Sequence, residues 1–502
     1  MLDDTKSDIS SGATTPTNGI DTLPAEILSL IFALTIPDEG THCPPTQKYE
    51  MPWGLKSVSK HWRAVSESTP ALWNRIHVAM QDCKSYPSYC LARVGSLIHH
   101  GGPLWLSICA YGRPTSITAI KTLVLPNLKR LQGLRFNIPM STFITSSSLQ
   151  NARLTQLREL HLSLRSPGDK NEIKDAHNLG LLLPAIFART VNLRHISLSS
   201  NRREVHVVLF DALLASDSLC SKLTHVNIEN LWEVELADIE VLLELCPNIE
   251  VFRADIKPHG GRPIKGSSLS LSYLRELRLG VQTPPEIIKL QIPWPQLKVL
   301  HARNGLFVEL LRQCHTVEVL TGNILHCTSV PCSGDDAGME TDIYLPRLES
   351  LEIGIPFPCG YEVLAALVAP QLLSLDITCA GHRFPFEYIS HMLTRSACTL
   401  RRIRLDTFGR PYEILELQSL LACTPSVEMF VSTFVLYEDT LDLIARGVLL
   451  PQVTEIEFHY AAPQVFDSFV ERRIQYERAG VVAVPLQMAV GRNKNFMKEW
   501  MA

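Results

Sequence analysis

One short phrase (an apolar residue, two variable ones, an apolar, a variable, an apolar) recurs twelve times along this 502-residue chain and limits what it can fold into. It reads Leu157/Leu160/Leu162, Leu193/Ile196/Leu198, Leu223/Val226/Ile228, Ile249/Phe252/Ala254, Leu274/Leu277/Leu279 and Leu297/Leu300/Ala302. It continues as Val317/Leu320/Gly322, Leu348/Leu351/Ile353, Leu372/Leu375/Ile377, Leu400/Ile403/Leu405, Val427/Phe430/Ser432 and Val453/Ile456/Phe458, with a weaker copy at Leu128/Leu131. First anchors are spaced 20 to 36 residues apart, most near 26. No single copy can bury its own apolar face, so copies must stack, and this period predicts an α/β solenoid whose exposed face binds something.

Within each phrase the alternation is that of a strand with its anchors pointing inward. Helical returns are expected at 236–246, 361–368, 413–422 and 439–445. Pro247, Pro346, Pro370 and Pro451 stand just before strands, where proline ends a helix and extends the residue before it. Residues 257–268 and 327–341 break the rhythm and read as loops. Residues 463–480 read as a helix and 481–490 as a last strand, together closing the array.

The bulk numbers exclude more than they assign. Net charge is −4, which gives no reason to invoke nucleic acid or a membrane surface as partner. No run approaches the roughly 20 apolar residues that span a bilayer. The N-terminal stretch has no apolar signal core, and the thirteen scattered cysteines form no small-domain framework. The expectation is a cytoplasmic or nuclear chain with reduced thiols.

Residues 1–19 read as a disordered tail, and 20–80 as a separate helical unit. Leu23, Ile27, Ile31 and Leu34 fall at helical spacing, with Leu28, Leu30 and Phe32 widening the stripe beyond one face. Pro24 suits the first turn, and Glu26 complements its positive end. A second helix is expected through Leu55, Val58, Trp62 and Val65, followed by Leu72 and Trp73. Together they carry more apolar surface than so small a unit can bury, which argues for a partner. Residues 81–125 read as a linker and N-terminal cap, 126–460 as the solenoid and 461–502 as C-terminal cap and tail.

The segment Leu23-Pro24-Ala25-Glu26-Ile27-Leu28-Ser29-Leu30-Ile31-Phe32 resembles the opening of an F-box. Residues 58–65, Val-Ser-Lys-His-Trp-Arg-Ala-Val, together with Thr69-Pro70-Ala71-Leu72-Trp73-Asn74-Arg75-Ile76, are similar to its second half. Ser59 falls in a stretch where the family often has Cys. The whole arrangement resembles fungal F-box proteins with irregular leucine-rich repeats. The resemblance implies a leucine-rich-repeat solenoid preceded by a short all-α F-box. It also implies a substrate receptor of a Skp–cullin–F-box ubiquitin ligase. Leu23, Pro24, Ile27, Leu28, Ile31, Phe32, Val58, Trp62, Leu72 and Trp73 would then face the Skp adaptor, unless some of them only hold the helical unit together. Two other readings stay open: a scaffold working outside a ligase, and a repeat protein that binds its partner without ubiquitylation.

No phosphate loop, Gly-x-Ser-x-Gly elbow or His-Glu-x-x-His motif is present, so a non-catalytic chain without cofactor is expected. Cys314, His315, His326, Cys327 and Cys332 are the sharpest metal candidates, but their spacing matches no familiar zinc site. Cys314 shares a pre-strand slot with Cys246 and, nearby, Cys423, so a core or loop role is expected.

The face flanking the anchors carries Glu159, His161, His195, Ser197, His225, Asn227, Arg253, Asp255, Glu276, Arg278, His301 and Arg303. Glu352, Asp376, Arg402, Arg404, Asp406, Glu455, Glu457 and His459 follow. His195 and His225 are expected side by side if no insertion shifts the register. Arg253, Arg278 and Arg303 would form a basic strip for an acidic or phosphorylated target, with Asp255 and Glu276 partly neutralising it. His301 and Arg404 join the candidate target-binding set, against the plain alternative of a solvated strand face.

Overall fold

The computed structural model describes residues 23–36, 41–43, 53–80, 87–98, 102–110, 112–165, 172–231, 235–256, 265–266, 269–280, 289–306, 308–324, 342–356, 358, 360–380, 383–407, 413–460, 463–492 and 497–501. The chain divides into two compact units, Met1–Leu219 and Cys220–Ala502.

The first unit runs α1 (Ala25–Leu34), β1 (Thr41–Cys43), α2 (Leu55–Val58), α3 (Lys60–Ser68), a 3-10 turn (Pro70–Trp73), β2 (Arg75–Ala79), α4 (Pro87–Ile98), β3 (Leu104–Cys109) and α5 (Arg113–Ala119). It continues with β4 (Leu131–Pro139), α6 (Met140–Thr145), α7 (Ser147–Gln150), β5 (Glu159–Arg165), α8 (Glu172–Phe187), β6 (His195–Ser200) and α9 (Arg203–Leu214), with a short α10 (Asp217–Cys220) at the boundary. Strands β1 to β6 pair in chain order, all parallel. Two expectations are corrected here. The stretch 20–80 is not all-α, since it supplies β1 and β2. The weak copy at Leu128/Leu131 is Leu131/Leu134/Phe136, because Leu134 stands opposite Leu160 and Phe136 opposite Leu162.

The second unit carries β7 (His225–Leu231), α11 (Leu236–Leu245), β8 (Val251–Ile256), β9 (Glu276–Leu279), β10 (Val299–Leu306), α12 (Val308–Leu311), β11 (Val319–Ile324), β12 (Ile343–Tyr344), β13 (Ser350–Ile355), α13 (Gly360–Ala366) and β14 (Leu367–Val368). Then come β15 (Ser374–Cys379), α14 (Phe386–Ser396), β16 (Arg402–Thr407), α15 (Ile414–Ala422), β17 (Met429–Leu436), α16 (Glu438–Ala445), β18 (Glu455–Tyr460), α17 (Pro463–Arg478), β19 (Met488–Arg492) and β20 (Met497–Met501). From β7 to β19 the strands form one parallel sheet, with β12 and β14 set apart as a two-stranded pair. The sheet does not end on β19 as expected. The antiparallel β20 pairs with β19 and covers that edge.

The repeat phrase has a physical counterpart in both units. The N–H of the first anchor donates to the carbonyl three residues earlier: Leu193 to Thr190 at 3.1 Å, Ile249 to Cys246 at 3.2 Å, Leu372 to Ala369 at 3.2 Å and Val453 to Leu450 at 3.1 Å. This turn ends the helical return and starts the strand, and Pro247 and Pro370 stand inside it, where their fixed φ costs nothing. All three anchors of each phrase are buried, and the positions between the second and third are half-buried or exposed. Each sheet therefore packs one face on its own helices and leaves the other open. The expected loops at 257–268 and 327–341 lie almost wholly outside the described residues, as does the tail 1–19.

Candidate partner-binding surfaces

The N-terminal helices sort the ten candidate adaptor residues into two sets. Ser59 breaks the expected second helix into α2 and α3, and its hydroxyl caps α3 by accepting from the Trp62 N–H at 3.1 Å. Behind α1 the Phe32 and Trp62 rings lie 4.9 Å apart, and Trp53 and Trp73 lie 5.3 Å apart. The Trp73 indole donates to the Ser66 carbonyl at 2.9 Å. Lys56 sits 4.7 Å from the Trp73 ring centroid and pairs with Glu67 at 3.1 Å.

Leu28, Phe32, Leu72 and Trp73 are thus core residues, each 2% exposed or less, and as folded they offer a partner no surface. These four therefore hold the helical unit together, the alternative left open for some of the candidate residues. Leu23 and Trp62 are half-buried, while Pro24 is exposed. Ile27 (44% exposed), Ile31 (41%) and Val58 (57%) remain available, together with Leu30 (64%) and Leu34 (87%), which were not among the ten candidates. Ile27, Leu30, Ile31 and Leu34 stand at i, i+3, i+4 and i+7, so they form one apolar ridge opposite Leu28 and Phe32. The widened stripe in the sequence was the signal for this two-sided helix.

On the open face of the first sheet, one cross-strand row reads Arg75, Trp105, Gly133, Glu159, His195, and the next reads His77, Ser107, Arg135, His161, Ser197. His195 Nδ1 lies 3.5 Å from Glu159 Oε1. That contact holds the Glu159 carboxyl below its usual range, against the opposing effect of burial. His77 Nδ1 and Ser107 Oγ are 2.8 Å apart. The Arg75 guanidinium sits 5.3 Å from the Trp105 ring centroid.

On the open face of the second sheet the central row reads Asn227, Arg253, Arg278, His301, Thr321, Glu352, Asp376, Arg404, Val431, Glu457. Arg253 and Arg278 are neighbours as expected, but Arg253 Nε is bound to Glu276 Oε1 at 2.6 Å. Arg303 lies in β10 with its side chain outside the described residues. Of the basic strip, then, one member is already neutralised. Burial lowers the His301 pKa, and the Arg278 and Arg253 charges add to this against Glu276 and Glu352. Arg404 Nε binds Asp406 at 2.9 Å and lies 3.6 Å from Asp376. Burial lifts Asp376 to about 6; Arg404 opposes this, while Asp406 and Glu352 reinforce it. His225 starts β7 of the second unit, whereas His195 belongs to the first.

Cys314 is buried, and burial pushes its thiol up to about 12. Its neighbour His315 is exposed, and His326, Cys327 and Cys332 lie outside the described residues. Among the described residues no group of three or more His, Cys, Asp or Glu is placed to hold a metal, and no helix is long and apolar enough to cross a membrane. Cys423 does not share the buried slot of Cys246 and Cys314. It is exposed, and Thr424 fills the slot instead.

No family model matches this chain, and no curated protein matches it. Solved structures similar to it include the yeast Rad7–Elc1 complex, at 14% identity over 87% of this chain and 88% of that one, with a TM-score of 0.35. Others are a TLR13–ssRNA13 complex (11% identity, 77% and 59%, TM-score 0.35) and a Bacteroides fragilis protein (9% identity, 69% and 68%, TM-score 0.24). Likeness at this level defines neither a partner nor an activity.

Proposed function

We propose that this chain is a non-catalytic substrate receptor of a Skp–cullin–F-box ubiquitin ligase. In this reading α1 docks on the Skp adaptor, through it the chain reaches a cullin, and the open sheet faces hold a target protein. The observation that supports it is the ridge of Ile27, Leu30, Ile31 and Leu34, four large apolar side chains on a ten-residue helix, each at least 41% exposed. A surface helix normally turns such residues inward, and an outward ridge beside a well-packed aromatic core fits a helix whose other side is covered by a partner.

The test is co-expression with a Skp adaptor and pull-down of the native chain against a Leu30→Asp/Leu34→Asp variant. Both positions are exposed, so the variant is expected to melt like the native chain and to lose the adaptor. Leu28→Asp serves as the contrast, because it charges the core and destabilises the fold itself. Failure of the folded native chain to retain the adaptor would overturn the proposal. A cullin added to the same pull-down separates a ligase receptor from a scaffold that binds the adaptor alone.

A further inference from the structure

We propose that the open face of the first unit's sheet, built around Trp105 and Arg135, docks an acidic segment of a target protein. This rests on the reading of the chain as a receptor for proteins and names the chemistry of what it receives.

The charge of this face departs from that of the chain. Its described outward positions carry Arg75, Arg135 and Arg165 against the single carboxylate of Glu159, three positive groups to one negative, in a chain of net charge −4. The one carboxylate is already engaged by His195 at 3.5 Å. The open face of the second unit between β13 and β18 has the opposite balance, five carboxylates to two arginines, and repels the same ligand. Charge complementarity of this kind selects a partner and its orientation.

The face also has a built aromatic anchor. Trp105 stands opposite Gly133, and a Cβ on Gly133 would fall 2.0 Å from Trp105 Cδ1, so the indole lies over the neighbouring strand only because glycine is there. The guanidinium of Arg75, 5.3 Å from the ring centroid, braces it in a cation–π contact. Trp105 is half-buried, leaving part of its surface open, and Arg135 is exposed. A tryptophan held in place before binding loses little freedom on docking, and tryptophan and arginine are both enriched among the residues that carry binding energy at protein interfaces. A nucleic acid fits less well. Tracking a phosphate backbone calls for many basic contacts and a series of stacking rings. The described outward positions supply one indole, with Glu159 in its row, and imidazoles of which His77 is held by Ser107 and His195 by Glu159.

The test uses the full chain and fluorescein-labelled peptides: a glutamate-rich peptide, the same peptide with a central phosphoserine, a lysine-rich counterpart, and single-stranded oligothymidylate. Binding is followed by polarisation and by Trp emission. The expected result is binding of both acidic peptides, weaker at high salt, with Arg135→Glu and Trp105→Ala each losing about tenfold or more. Tighter binding of the phosphoserine form identifies the phosphate as the favoured anion, and equal binding identifies the carboxylates. The lysine-rich peptide should stay free. Absence of acidic-peptide binding, equal binding by native and Arg135→Glu chains, or a preference for oligothymidylate overturns the proposal. Arg135 is exposed, so its variant should keep the native melting temperature and, in a parallel pull-down, the adaptor. Peptide binding without adaptor capture would bring down the ligase reading alone; adaptor capture without peptide binding would bring down this surface alone.

Discussion

Glu477 Oε1 accepts the Nε–H of Arg473 at 3.0 Å and the backbone N–H of Leu486 at 2.8 Å, joining α17 to the segment that leads into β19. Arg473 is fully buried, and its other N–H groups donate to the carbonyls of Ile444 (3.0 Å), Val453 (3.3 Å) and Val484 (2.7 Å). One guanidinium thus ties the last helix to the end of α16, to the turn before β18 and to the chain after α17. Burial lowers the Arg473 pKa and Glu477 opposes it, so the carboxylate offsets part of the cost of holding this charge away from water.

Removing the two partners should therefore have unequal effects. Glu477→Leu leaves a fully buried charge without its counter-ion and should cost about 3–5 kcal/mol. Arg473→Met strands three carbonyls and the Glu477 carboxylate, but that carboxylate keeps the Leu486 N–H and some access to water, so the cost should be smaller, about 1–3 kcal/mol. Because repeat arrays open from their ends, the loss should appear first as faster hydrogen exchange in Pro463–Arg478. Exchange in Pro463–Arg478 no faster in the Glu477→Leu variant than in the native chain would show that the ion pair does not hold the cap.

Gly322 should not tolerate a side chain. A Cβ there would lie 2.2 Å from the Ala302 carbonyl oxygen, a backbone atom that cannot move aside as a side chain can. Gly322→Ala should cost about 1–3 kcal/mol or more as the β10–β11 pairing adjusts. Its check is urea unfolding beside Gly480→Ala, which meets nothing within 4 Å but is strained by its φ of +69°. A Gly322→Ala cost no greater than that of Gly480→Ala would count against the steric account.

That glycine also shows how much of the fold could be read from the sequence, and where reading stopped. Anchor spacing located the strands, since a buried strand needs its alternate residues apolar whatever surrounds it. Third anchors that shrink to Ala254, Ala302, Gly322 and Ser432 accompany the register shifts of the second sheet, which fall after Ile228 opposite Ala254, after Ala302 opposite Gly322, and after Val431 beside Ser432. The first sheet's shift, between Leu104 and Trp105, has no such mark in its anchors. A bulge brings a backbone into the space a leucine would fill, and only a small residue fits beside it. The α1 ridge was half legible. Spacing gives a helix with apolar residues on both sides, but it does not say which side meets Trp62 and which meets solvent. The Trp105 platform was not legible, because it depends on Gly133 standing opposite Trp105 in a copy whose register was obscure.

His206 should make the first unit acid-sensitive. It is 2% exposed; Nε2 lies 2.6 Å from the Ser200 carbonyl, and Nδ1 is buried without a partner. Burial lowers its pKa below the ordinary value. The unfolded chain therefore takes up the proton first, and this residue's contribution to stability is complete above about pH 6.5 and lost as pH falls below it. The protection of the Arg203–Leu214 amides, taken against the intrinsic exchange rate at each pH, should fall between neutral and mildly acidic pH in the native chain. His206→Gln should be less stable at neutral pH but should lack that fall.

Asp376 should act with the opposite sign. Its folded pKa of about 6 lies above the unfolded value, chiefly through burial, with Arg404 at 3.6 Å only partly compensating. Between about pH 4 and pH 6 the folded chain holds more protons than the unfolded one, so this group's contribution to stability falls as pH rises through that window. Asp376→Asn keeps the shape without the charge and leaves Arg404 bound to Asp406 at 2.9 Å. Melting temperatures of the native chain and the variant, compared across that window, should separate as pH rises, with the variant at least as stable at pH 7. A variant that is less stable at pH 7 but not at pH 5 would mean that the Arg404 attraction outweighs the cost of burying the carboxylate.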